Sequence, residues 1–126
     1  MKLKILIVED DPALLMLYST MMLNGGFQPL AAQNAKAAID ILQREIPDLI
    51  IEDLSLPDLD GQHLVHCIRQ IPKCENIPVV VLSASSGRIE TARHCGEKFV
   101  AFLHKPIEQQ ALLDVIRKFL PDVQKD

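Results

Sequence analysis

Ile5-Leu6-Ile7-Val8 is apolar at four successive positions and runs directly into three acids, Glu9, Asp10 and Asp11. Strand side chains alternate between two faces, so a strand that is apolar at every position is covered on both. Such strands belong to parallel sheets with helices packed on either side. The pattern recurs. Leu49-Ile50-Ile51 ends in Glu52 and Asp53, and "IPVVVL" ends in Ser83. A chain with several runs of this kind is restricted to an α/β architecture before anything else about it is known.

Helical spacing fills the intervals. Asp11-Pro12 has the form of a helix start, with a capping acid and proline at the first helical position. Leu14, Leu17, Tyr18 and Met21 follow at helical spacing, and Gly25-Gly26 ends the helix. Phe27 to Ala32 is expected to be the second strand, and Pro29 within it predicts a sheet edge. Asn34 caps a helix carrying Ala35, Ala38, Ile39 and Leu42, which ends before Pro47. Residues 48–53 are strand three, followed by a loop with Pro57 and Gly61. Leu64, Ile68 and Ile71 mark the third helix, stopped by Pro72. After strand four, residues about 86 to 96 form a weaker helix with Ile89 and Ala92 as its stripe. Phe99 to His104 is strand five, and Leu112, Val115, Ile116 and Phe119 drive a last helix that stops at Pro121. Five strands alternating with five helices predict one doubly wound parallel-sheet domain over residues 1–126, in the flavodoxin-like order 2-1-3-4-5.

The remaining bulk properties exclude more than they assign. A net charge of −4 offers no electrostatic reason to expect binding to nucleic acid or anionic membrane. With no Trp and one Tyr, the core must be aliphatic. Cys67, Cys74 and Cys95 are widely spaced and form no CxxC pair, as expected of reduced thiols in a cytoplasmic protein. The apolar stretch after Met1 is too short for a signal peptide, and no segment has the length of a membrane span.

In sheets of this order, ligands sit beyond the carboxyl ends of the strands, at the switch between strands one and three. Strand one ends at Glu9, Asp10 and Asp11, strand three at Asp53, strand four at Ser83-Ala84 and strand five at Lys105-Pro106. Carboxylates converging at about 5 Å repel by roughly 3 kcal/mol per pair at an effective dielectric near 20. Lys105 offsets one charge and a divalent cation would offset two. Magnesium suits hard oxygen ligands and keeps waters that a phosphate can replace. A carboxylate beside Mg²⁺, with a lysine and a hydroxyl opposite, is equipped to attack phosphorus, and Asp53 is the most central acid.

The segments "ILIVEDDP", "PDLIIEDLSLPDLDG", "IPVVVLSAS" and "FLHKPI" together resemble the response-regulator receiver domain of two-component signalling, over essentially the whole chain. The resemblance implies that Glu9 and Asp10 hold Mg²⁺, with Asp10 the more direct ligand. Asp11 stands at the variable third acid and suits a helix cap. Asp53 matches the phosphoacceptor, and the backbone carbonyl of Ser55 is a further metal ligand. Ser83 matches the hydroxyl that turns toward the phosphoryl group, and Lys105 the family's lysine. The bond before Pro106 is expected to be cis, and Phe102 stands at the aromatic switch. The implied function is transfer of a phosphoryl group to Asp53 from a phosphohistidine of a sensor histidine kinase or phosphotransfer protein. The receiver would catalyse its own phosphorylation and dephosphorylation. A shift would be read on the face of helix four, strand five and helix five by a downstream effector or an output domain absent from this chain, and a phosphorylation-dependent dimer would use the same face.

Three residues or segments depart from that family's pattern. Glu52 precedes the phosphoacceptor where an apolar or small residue is usual; strand alternation points it away from Asp53, where it must reach water or a partner. "EKFVAF" replaces the usual Gly-Ala turn before strand five, with Gly96 arriving early, so helix four is expected to end early or be irregular. Phe102 replaces the commoner Tyr. His63 and His66 lie three apart on the third helix, where a solvated face is the plainer reading than a shared metal. The alternative class is a Mg²⁺-dependent phosphohydrolase with Asp53 as nucleophile. Such enzymes commonly carry a second acid two residues later, and here that residue is Ser55.

Overall fold

A computed structural model describes residues 2–120. Strands and helices alternate throughout: β1 (Lys4–Val8), α1 (Pro12–Asn24), β2 (Gln28–Ala32), α2 (Ala35–Leu42), β3 (Leu49–Asp53), α3 (Gly61–Arg69), β4 (Val79–Ser83), α4 (Ser86–Arg93), β5 (Ala101–His104) and α5 (Gln109–Phe119). The strands form one parallel sheet in the order β2-β1-β3-β4-β5, as the apolar runs and Pro29 predict. Gln28 donates its backbone N–H to the Leu3 carbonyl at 2.8 Å. By alternation the nitrogen of Pro29 then faces away from β1, where its missing hydrogen breaks no ladder bond.

The non-alternating strands are covered on both faces. Ile5, Ile7, Leu49, Ile51, Val80 and Leu82 pack with Tyr18, Met22, Leu112 and Ile116 of α1 and α5. Leu6, Val8, Ile50 and Val79 pack on the other face with Ala38, Leu42, Leu64 and Ile68 of α2 and α3. A smaller cluster of Leu54, Val81, Ile89 and Ala92 seats α4, with Phe99 and Phe102 against it. Full burial of each such aliphatic side chain contributes about 1.5–3 kcal/mol, which holds the sheet rigid behind the strand tips.

The helices start on side-chain caps. Asp11 accepts from the N–H groups of Ala13 and Leu14, Asn34 from Ala37, Asp60 from His63 and Ser85 from Arg88. Each is worth about 1 kcal/mol. Asp58, in the loop after β3, reaches the start of α2 and accepts from Ala35 N–H at 2.9 Å and Lys36 N–H at 3.1 Å.

Several elements differ in detail from the sequence expectation. In α1 the buried residues are Leu15, Tyr18, Met21 and Met22, whereas Leu17 is exposed. This helix is apolar almost all round, so spacing alone did not decide which side meets the sheet. Helix α3 begins at Gly61, expected in the loop, because Asp60 caps it there, and it ends before Ile71. Helix α4 ends at Arg93, short of residue 96, and Gly96 turns the chain at φ +90°. Strand β5 accordingly starts at Ala101 rather than Phe99. The stop expected at Pro121 lies outside the described residues. Among the described residues, no helix is long and apolar enough to cross a membrane.

Candidate functional site

The in-register pairing of Val8 with Glu52 sets the tips of β1 and β3 side by side, so Glu9 follows one strand and Asp53 ends the other. One carboxylate oxygen from each of Glu9, Asp10 and Asp53 lies within 4.8 Å of the others. Glu9 and Asp53 are buried and Asp10 is exposed, so the cluster opens to solvent on the Asp10 side. Asp11 is held apart from this group by its capping bonds to α1.

Lys105 reaches back across the sheet from the end of β5. Its Nζ lies 2.7 Å from Asp53 Oδ2 and forms an ion pair with Glu9 Oε1. The backbone anchors this reach, since Lys105 N–H donates to the Ser83 carbonyl at 2.8 Å. The Lys105–Pro106 peptide bond is cis, as expected. Burial disfavours the Lys105 charge, but hydrogen bonds to Asp53 and Glu9 outweigh it and leave the ammonium harder to deprotonate than usual. Burial pushes Glu9 up to about 7, against the opposing hydrogen bonds from Lys105 and the Asp11 N–H. One ammonium therefore faces three acids, and the site retains negative charge at neutral pH.

The remaining oxygen of Asp53 is also fixed, since Oδ1 accepts the Ser55 N–H at 2.9 Å. Ser83 is buried at the tip of β4, but its hydroxyl is turned onto its own loop. Oγ accepts the Ser85 N–H at 3.0 Å and donates to the Ser85 carbonyl at 3.3 Å. Phe102 lies on β5 in register with Val81, half-buried at the sheet edge. The structure thus brings Glu9, Asp10, Asp53 and Lys105 into direct proximity, with Ser55 bonded to Asp53 and Ser83 bonded to the backbone of Lys105. Three hard oxygen donors at this spacing, with one side open to water, fit a magnesium ion.

Glu52 departs from expectation. It does lie on the face opposite Asp53, but it reaches neither water nor a hydrogen-bonding partner. The side chain is fully buried and both carboxylate oxygens are unpaired. Burial holds its carboxyl well above the usual range, opposed by the charge of Arg69 and reinforced by those of Asp60 and Asp53. Burial therefore favours the protonated form of Glu52, which packs under the start of α3 against Gly61. The Asp58 clamp on α2 was also not foreseen. Its partners are 23 and 22 residues earlier in the chain, so no local pattern announces it.

His63 and His66 line a cleft of about 440 Å³ with Asp60, Cys95 and Glu97. Both rings are exposed, and each turns Nδ1 to a carboxylate, His63 to Asp60 at 2.9 Å and His66 to Glu97 at 3.1 Å. This is the solvated helix face read from the sequence. Cys74 is buried, and Cys67 and Cys95 are exposed free thiols.

The family described as response regulator receiver domain matches residues 5–117. The response regulator protein FleR of Pseudomonas aeruginosa is 35% identical over 131 aligned positions, covering all of this chain but only 27% of FleR. Sporulation initiation phosphotransferase F of Bacillus subtilis is 32% identical, with 94% of each chain covered. Among solved structures, the signal receiver domain of a signal transduction histidine kinase from Syntrophus aciditrophicus superposes with a TM-score of 0.83 at 28% identity, covering 98% of this chain and 93% of that one.

Proposed function

This chain belongs to the response regulator receiver domain family, and we propose that it accepts a phosphoryl group on Asp53 from a phosphohistidine of a sensor kinase or phosphotransfer protein. The observation that carries this reading is the placement of Lys105 Nζ, 2.7 Å from Asp53 Oδ2 and paired with Glu9, beside the Glu9–Asp10–Asp53 cluster. An Asp53 carboxylate oxygen attacks phosphorus as the P–N bond to the donor imidazole breaks, and the imidazole takes up a proton as it leaves. Lys105 is held within reach of the transferring oxygens and neutralises charge developing on them. Ser83 exchanges its bonds to Ser85 for one to a phosphoryl oxygen.

Glu9, Asp10, Asp53 and the Ser55 carbonyl would hold Mg²⁺. When bound, the ion supplies further charge neutralisation at the phosphoryl group and positions it for in-line attack. The acyl phosphate brings nearly two negative charges into the mouth. The face of α4, β5 and α5 then shifts in population, with Phe102 as the moving aromatic, and an effector or output domain reads it. Dimerisation through that face belongs to the same reading.

The test is incubation with acetyl phosphate and Mg²⁺, followed by intact mass. A single phosphoryl addition, absent without Mg²⁺ and absent in Asp53→Ala, is the expected result. Absence of addition alongside tight Mg²⁺ binding overturns it. Sustained turnover of a phosphomonoester, lost in Asp53→Asn, would instead identify a phosphohydrolase.

A further inference from the structure

Arg93 is the last residue of α4, and its guanidinium carbon lies 4.4 Å from the centroid of the Phe102 ring. Glu90 Oε2, one turn earlier, lies 3.9 Å from Arg93 Nε and steers the side chain. Phe99 meets the Phe102 ring edge-on, with centroids 5.6 Å apart at 73°. Beneath the ring are the buried residues that seat α4. Phe102 is therefore bounded on its solvent side by a cation from one element and on its flank by a second aromatic. The early end of α4 puts Arg93 at the helix terminus, and the turn at Gly96 brings Phe99 back alongside β5.

We propose that Arg93 is a positioning residue that holds Phe102 at the sheet edge, and that this contact must break before the α4–β5 face reorganises around a phosphorylated Asp53. The proposal rests on the phosphoacceptor reading above. A cation over an aromatic face is bound by the ring quadrupole, and the ring cannot move inward without leaving it. Arg93 thus sets how much of the population rests in the unswitched arrangement without touching the phosphoryl site. Phe102 carries no hydroxyl with which to make a hydrogen bond at the edge, so the guanidinium supplies the polar hold there.

The experiment uses the full chain labelled with fluorophenylalanine, whose four Phe signals are assigned by Phe102→Leu and companion substitutions. Beryllofluoride with Mg²⁺ serves as the acyl-phosphate mimic. In Arg93→Met, which keeps the aliphatic cover but removes the charge, the Phe102 fluorine resonance of the free protein moves toward its position in beryllofluoride-saturated wild type. Beryllofluoride affinity rises about two- to fivefold, the equilibrium equivalent of an exposed cation–π contact. Arg93→Lys stays close to wild type. An Arg93→Met protein with an unmoved resonance, or with unchanged beryllofluoride affinity, overturns the proposal. If wild type itself takes up neither beryllofluoride nor a phosphoryl group, the phosphoacceptor reading fails and the coupling with it. The fluorine spectrum of the free proteins distinguishes that outcome from failure of the Arg93 contact.

Discussion

Glu52 and Gly61 compete for the same space: a β-carbon on Gly61 would lie 2.5 Å from Glu52 Oε2, and 2.9 Å from the Leu54 Cα. The first turn of α3 is thereby pressed onto a buried, unpaired carboxyl. Gly61→Ala is expected to destabilise the protein by about 1–3 kcal/mol through overpacking. Shortening Glu52 to Ala in the same chain should relieve only part of that loss, because the Leu54 backbone remains. A double-mutant cycle from urea melts measures this, and full rescue would show that Leu54 does not constrain the helix.

The same carboxyl makes stability depend on pH. Its folded pKa lies well above the ordinary 4.5, so the native state binds more protons than the unfolded chain. The stabilisation is complete below about pH 4.5 and is lost as pH rises, by up to about 1.4 kcal/mol per pH unit. Glu9, raised to about 7, adds a slope of the same sign up to that pH. Metal-free wild type should therefore lose stability from pH 5 upward. Glu52→Met should flatten part of this slope, as followed by melts between pH 5 and 9.

How far the sequence anticipated Glu52 shows what an apolar pattern encodes. Alternation correctly placed it across the sheet from Asp53, since that follows from backbone geometry alone. Its surroundings did not follow, because they depend on how closely α3 approaches, and that approach is set by Gly61 and the Asp60 cap. The strand tips were legible for the opposite reason: Glu9, Asp53, Ser83 and Lys105 are placed by the ends of apolar runs and the order of strands. In α1, where Leu14, Leu15, Met16 and Leu17 are all apolar, periodicity had too little contrast to separate buried Leu15 from exposed Leu17.

Magnesium affinity should fall with acidity in a window set by Glu9. Metal ligands and their neighbours must be ionised to support a cation. With Glu9 at about 7 in the free protein, affinity should weaken below that pH by up to tenfold per unit, and Glu9→Gln should remove the dependence between pH 6 and 8. Calorimetric titration at stepped pH reads this, and an unchanged profile in the variant would assign the proton elsewhere.

Lys105→Met is expected to destabilise the metal-free protein by about 3 kcal/mol, since it leaves the buried Glu9 and Asp53 without their shared cation. Added Mg²⁺ should restore much of the loss, whereas phosphoryl uptake should remain impaired. Melts with and without Mg²⁺, paired with the acetyl phosphate assay, separate the two effects.

Ser83→Ala should leave Mg²⁺ affinity unchanged while lowering the rate of phosphoryl uptake about tenfold, the loss of one charge-assisted hydrogen bond in the transition state. Stability should fall by only about 1 kcal/mol, because the Ser85 N–H loses its acceptor. A variant with wild-type uptake would show that the hydroxyl never leaves its loop.

Pro29 also governs contacts beyond the chain. Its donorless nitrogen interrupts the outer margin of β2 at the second of five residues, so an approaching extended segment finds a gap where a continuous ladder would require an N–H. Edge-to-edge growth of the sheet, the route by which parallel strands from separate molecules merge into fibres, is thereby discouraged along that margin. Among the described residues β5 is the opposite edge of the sheet, which leaves its outer rim as the boundary open to an added strand.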